Sequence, residues 1–152
     1  MIQRIQSLFL FVSLCFMLPM FFIPVAELVY KTGEILLFNF TGFYITEEGV
    51  TTPINTQLSI MLFGIGICAL NIIIIFLYKN RMLQIRFCIY NIMFLIGLTG
   101  VILFVMYNLD NILTISFRLP IVFPVVSAIL HYLAFRGIRK DELLIQSLNR
   151  LR

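Results

Sequence analysis

The chain has no tryptophan, a single histidine and three cysteines among its 152 residues. Nothing functional follows from the missing tryptophan, but the other shortages exclude whole classes of chemistry. Cys15, Cys68 and Cys88 all fall inside apolar stretches, and no Cys-x-x-Cys occurs. This excludes a thiol oxidoreductase working through paired loop cysteines, and equally a disulfide-stapled outer domain. Burial as small packing residues is the role expected of all three. His131 has no second His, Cys or carboxylate at ligand spacing, so no metal site is expected. Charge is scarce as well, at 12% of residues. Four stretches, Ile5 to Ala26, Leu58 to Tyr78, Phe87 to Tyr107 and Leu119 to Phe135, contain no Asp, Glu, Lys or Arg. Ion-coupled transporters place such a group inside the bilayer, and its absence disfavours coupled transport. With no catalytic constellation, metal-ligand spacing or phosphate loop, no catalytic residue, cofactor-binding residue or cofactor is expected, and the chain does not read as an enzyme.

What the chain has instead is apolar mass: 61% hydrophobic residues and a mean hydropathy of +1.05 place it outside soluble-domain usage. At about 1.5 Å per helical residue, each charge-free stretch crosses or nearly crosses a hydrocarbon core roughly 30 Å thick. The expectation is an all-α membrane protein, one domain over residues 1–152, with four transmembrane helices. Cations fall unevenly between its loops. Arg4, Lys79, Arg81, Arg86, Arg136, Arg139, Lys140, Arg150 and Arg152 lie on one side, and Lys31 and Arg118 on the other, nine against two. The positive-inside rule then puts both termini in the cytoplasm. The net charge of +4 is explained by these span ends and lipid headgroups rather than by nucleic acid, which is not an expected partner. The first stretch is too long for a signal peptide, Pro24-Val25-Ala26 is a poor cleavage site, and Leu14 before Cys15 does not suit a lipoprotein. It is therefore expected to stay, with Pro19 and Pro24 kinking or ending its outer part.

The outer loop, residues 27–56, is rich in aromatic and β-branched residues, among them Phe38, Phe40, Phe43, Tyr44 and Ile45. A small hairpin turning at Thr32-Gly33, with a second turn at Glu48-Gly49, fits this pattern, as does an irregular loop whose aromatics sit among headgroups. Pro53 then precedes Asn55 or Thr56 as the expected N-cap of the second span. The cytoplasmic tail, residues 137–152, reads as a short amphipathic helix. Ile138, Leu144, Ile145, Leu148 and Leu151 fall on one arc, interrupted by Asp141. It suits either the inner leaflet or a protein partner.

The polar residues that enter the spans share a depth. Asn71 lies about 12 Å before Lys79, and Asn91 and His131 lie about 7–8 Å from Arg86 and Arg136. Two readings stay open: an interhelical hydrogen-bonded layer, or separate contacts with headgroups or backbone carbonyls. Gly64 with Cys68, Gly97 with Gly100, and Pro124, Ser127, His131 and Ala134 form small-residue faces. They suit packing within the bundle or a homodimer seam.

Met1-Ile2-Gln3-Arg4-Ile5-Gln6 at the start, with Ala134-Phe135-Arg136-Gly137-Ile138-Arg139-Lys140-Asp141-Glu142, Ser147 and Arg150-Leu151-Arg152 at the finish, resembles an uncharacterised family of bacterial four-span inner-membrane proteins, domain of unknown function 4293. Asn149 stands where many of its members carry Asp. The resemblance covers the whole length and implies a bacterial inner-membrane location, with no activity, substrate or cofactor. It draws attention to a cytoplasmic interaction surface of Arg4, Arg136, Arg139, Lys140, Asp141, Glu142, Arg150 and Arg152. The expected function is a non-enzymatic subunit or assembly factor of a membrane complex, with lipid and another membrane protein or a second copy as partners. The alternative is a small pore or transporter for neutral or lipidic solutes, lined by Asn71, Asn91 and His131. An enzyme acting on lipid would need an acid, base or nucleophile at the interface, where only scattered candidates stand.

Overall fold

The computed structural model of the protein describes residues 2–30, 34–47, 50–109 and 112–150. Helix α1 spans Ile2–Met17 and passes into a 3-10 turn at Leu18–Phe21. Four strands follow: β1 (Ala26–Tyr30), β2 (Ile35–Asn39), β3 (Gly42–Glu47) and β4 (Val50–Asn55). Helices α2 (Leu58–Phe76) and α3 (Arg81–Tyr107) are joined by a short link. Strand β5 (Ile112–Phe117), a 3-10 turn at Leu119–Val122 and helix α4 (Phe123–Arg150) complete the chain.

The all-α expectation is corrected by a five-stranded antiparallel sheet in the order β4-β3-β2-β1-β5. The outer loop supplies four of its strands, more than the single hairpin expected. The fifth comes from the connection before α4, where Ile112, Thr114 and Ile115 offer β-branched residues that suit a pleat. β1 lies between β2 and β5, with Leu28 opposite both Leu36 and Ile115. The expected turns at Thr32-Gly33 and Glu48-Gly49 lie outside the described residues. A turn that was not expected joins β2 to β3. There the Asn39 side-chain oxygen accepts from the backbone N–H groups of Thr41 and Gly42, each at 3.1 Å. Gly42 has φ 147°, which a side chain would oppose. Pro53 sits in β4, an edge strand, where a missing N–H need not break a ladder. α2 consequently starts later than expected, with Gln57 rather than Asn55 or Thr56 in the N-cap position.

The four-span expectation is also corrected: among the described residues three segments, Leu58–Phe76, Arg81–Tyr107 and Leu119–Ile145, are long and apolar enough to cross a membrane. The remaining one is a shorter apolar segment, Ile5–Phe21. Its expected last residues, to Ala26, are lost because Pro19 opens a 3-10 turn and the chain beyond Pro24 joins the sheet. The Val25 N–H bonds the Phe38 carbonyl at 2.7 Å, and the Val25 carbonyl accepts from the Arg118 N–H at 2.9 Å. The tail is helical but not a separate helix, since α4 runs through Gly137 to Arg150 without interruption.

One apolar core joins the sheet to one end of the bundle. Leu28, Leu36, Phe38, Phe40 and Phe43 pack with Met17, Met20, Ile60, Ile67, Leu95, Leu98, Ile102 and Met106. A second, smaller core of Leu10, Ile74, Cys88, Ala134 and Ile138 lies toward the opposite end. There α1 runs beside α4, α4 beside α3, and α3 beside α2. Gln84 at the start of α3 donates to the Ile74 carbonyl of α2 at 3.1 Å, fixing the two helices across their link.

Candidate functional site

Between the two apolar cores each helix contributes polar side chains, and all of these are fully buried: Ser13 from α1, Asn71 from α2, Asn91 from α3, and Ser127 and His131 from α4. Their positions follow from helical spacing. Ser13 stands between Leu10 and Met17, Asn71 between Cys68 and Ile74, and Asn91 between Cys88 and Leu95. Three or four residues separate each polar group from its apolar neighbours, so all share one inward face.

His131 is the hub. Its Nδ1 lies 2.9 Å from the Ser127 carbonyl and 3.0 Å from Ser13 Oγ, and its Nε2 lies 2.8 Å from Asn91 Nδ2. The Ser127 carbonyl can only accept, which places the ring proton on Nδ1 and leaves Nε2 to accept from the Asn91 amide. Asn71 Nδ2 reaches Ser13 Oγ at 3.4 Å, while the Ser127 hydroxyl donates to the Ser13 carbonyl at 3.2 Å. Asn91 and His131 are thus in direct contact, and Asn71 joins them only through Ser13. Ser13 and Ser127 were not among the expected members, although Ser127 was placed on the small-residue face. The signal for Ser13 was a serine in the same register as Leu10 and Met17.

The sequence Ser13, His131, Asn91 imitates a nucleophile–base–orienter chain, but the ring nitrogen facing Ser13 already carries a proton held by the Ser127 carbonyl. Ser13 is also fully enclosed. In this arrangement the ring is set to tie helices together rather than to take the hydroxyl proton. Among the described residues two buried side-chain atoms are without a partner, Asn71 Oδ1 and Asn91 Oδ1. A buried acceptor left unpaired costs about 1–3 kcal/mol, so the layer has capacity for a further donor.

The small-residue faces divide. Pro124, Ser127, His131 and Ala134 are buried within the bundle. Gly64 is buried too, but under the sheet: a methyl group there would come within 2.9 Å of the Phe40 ring and 3.2 Å of Phe21. Gly97 and Gly100 face outward, which corrects the first of their two readings, packing within the bundle. Cys68 and Cys88 are buried, whereas Cys15 is exposed on the bundle's side, which corrects the expectation for that residue.

Arg136, Arg139 and Lys140 are exposed on α4. Asp141 is turned toward α1, where its Oδ2 accepts from Gln6 Nε2 at 2.8 Å. Gly137 makes room for that approach, since a methyl group there would lie 3.1 Å from the Gln6 side chain. Glu142 is half-buried. Arg4 and Arg150 lie in α1 and α4, and Arg152 falls outside the described residues. At the other end Arg118 pairs with Glu27, linking the approach to α4 with β1. Among the described residues no three potential metal ligands come together.

No curated protein matches the chain. Residues 2–151 match the family described as a domain of unknown function, DUF4293, and with nearly the whole length covered the chain belongs to that family.

Proposed function

We propose that the protein is a non-enzymatic subunit or assembly factor of a complex in the bacterial inner membrane. In this reading the sheet faces outward, and both termini with the basic bundle end face the cytoplasm. One observation carries the proposal. α4 continues without a break past its last charge-free residue, Phe135, and its extension carries Leu143 and Leu144 more than half exposed. At 1.5 Å per residue they stand about 12 Å beyond Phe135, past the hydrocarbon, where bare leucines favour a protein contact. The basic end supports the orientation through the excess of Lys and Arg on that side.

The test is removal of residues 143–152. Asp141 and its bond to Gln6 remain, so insertion and protein level are expected to be unchanged while association with the partner in the native membrane is lost. Co-purifying proteins that are identical with and without the tail would overturn the reading.

A pore or transporter for neutral solutes has one feature in its favour, the two unpaired amide oxygens of Asn71 and Asn91. Flux of a neutral solute into liposomes that vanishes in the Asn71→Leu, Asn91→Leu variant would support it.

A further inference from the structure

The two edges of the sheet differ. β4 closes one edge with Pro53, a residue type that blunts an edge against further strands. β5 forms the other edge, and its six residues, Ile112 to Phe117, include no proline and no charge. A bulge against Val29 and Tyr30 gives β5 one residue more than β1, so its regular ladder runs over residues 114–117. The Arg118 N–H bonds the Val25 carbonyl on the β1 side. By alternation Ser116 and Thr114 also turn their backbone toward β1, and Ile115 and Phe117 turn theirs to the free edge. Among the described residues no further strand or backbone bond reaches that edge. Beside it Leu113 is 62% exposed and Phe117 50%. In the placement above, Phe117 stands two residues before Leu119, where the fourth charge-free stretch begins. The edge therefore lies at the bilayer surface, where unpaired backbone groups find less water.

We propose that β5 pairs antiparallel with β5 of a second copy, joining the two sheets into one. Centred on Ile115, the ladder sets Ile115 opposite itself, Thr114 opposite Ser116, and Leu113 opposite Phe117. The two exposed apolar residues of each strand thus meet those of the other, and such cross-strand pairs add to the main-chain bonds. The lack of charge matters because a charged residue on β5 would stand near its own copy across the axis. Symmetry favours a second copy as well. One face of the sheet rests on helix ends, where Leu28 and Phe38 pack with Met17, Ile60 and Met106. A two-fold axis through Ile115 and perpendicular to the sheet therefore runs along the bundle. Both copies then keep one orientation, as identical chains inserted in one membrane must.

The inference rests on the membrane placement above for the direction of its axis, and the test separates the two. Two differently tagged full-length chains, Thr114→Cys and Ser116→Cys, each also carrying Cys15→Ser, are co-expressed in the native membrane and oxidised. Opposed residues that exchange no backbone bonds stand about 4.5 Å apart at Cα, within disulfide reach. Each new cysteine is offset from its own copy by two residues, about 7 Å along the strand, and the two are out of reach. The expected result is a disulfide-linked dimer carrying both tags, absent when either variant is expressed alone. Phe117→Pro in both chains removes an N–H from the free edge, leaves the β1 ladder intact, and is expected to abolish that dimer. No mixed dimer in membranes that retain the chain through alkaline extraction overturns the strand pairing and leaves the membrane reading intact. Dimers formed equally by each variant alone overturn the pairing centred on Ile115. A benzophenone attached at Ser116→Cys that crosslinks only to a different protein overturns the second copy as the occupant. A chain released by alkaline extraction overturns the membrane placement and with it the shared axis.

Discussion

His131 Nε2 accepts a hydrogen bond from the Asn91 side-chain amide at 2.8 Å, joining α4 to α3 at a depth where both residues are fully enclosed. Because the Ser127 carbonyl fixes the ring proton on the other nitrogen, the Asn91 contact is set in direction as well as distance.

That contact is testable by a double-mutant cycle. Asn91→Leu leaves Nε2 unpaired and His131→Leu leaves the Asn91 amide unpaired, so each single variant is expected to lose about 1–3 kcal/mol. The coupling between them is expected at about 0.6 kcal/mol and no more than about 2, measured by unfolding in detergent. Asn71→Leu is expected to be milder, since the Asn71 bond to Ser13 is long, at 3.4 Å against 2.8 Å for that of Asn91 to His131. Strictly additive losses for Asn91 and His131 would mean that the contact contributes nothing.

The glycines give a second contrast. Gly64→Ala places a methyl group against the Phe40 and Phe21 rings, and Phe40 belongs to the turn that presses the sheet onto the bundle. A stability loss of about 1–3 kcal/mol is expected from such overpacking. Gly100→Ala meets nothing within 4 Å and is expected to be neutral, or to gain up to about 1 kcal/mol from helix propensity. Thermal unfolding of both variants in one detergent checks the ordering; equal effects would contradict the seating of Phe40 over α2.

How much of this was legible depended on whether a signal was local. Asn71, Asn91 and His131 stood out because a polar residue within a long apolar run is conspicuous whatever it contacts. Ser13 did not, because serine is common in such runs and its role appears only when α1 lies beside α4. The strand character of residues 34–47 was visible in their aromatic and β-branched content. The Asn39–Gly42 turn is written in the sequence as well, in an Asn followed three residues later by Gly, the residues favoured at the first and last positions of a type I turn. β5 was missed for a different reason. Ile112–Phe117 reads as a connector between spans until β1 offers it an edge, and that pairing is made over a separation of more than 80 residues. The early end of α1 follows the same logic: Pro19 marks where the helix can stop, but only the hydrogen bonds of Val25 to Phe38 and Arg118 show what the chain does next.

The three cysteines offer a direct reading of which bundle faces are covered. In mild detergent N-ethylmaleimide is expected to label Cys15 alone, because Cys15 is exposed on the side of α1 while Cys68 and Cys88 are enclosed. Reaction requires access to the thiol, and packing between the helices denies it to Cys68 and Cys88. Denaturation should then release the two remaining thiols, which intact-mass measurement would count. Early labelling of Cys68 or Cys88 would contradict the packing of α2 and α3 described above. Protection of all three in the native state would contradict exposure of Cys15. It would show instead that the outer face of α1 is covered, by a second copy or by the partner of the complex, and crosslinking from position 15 would then identify which.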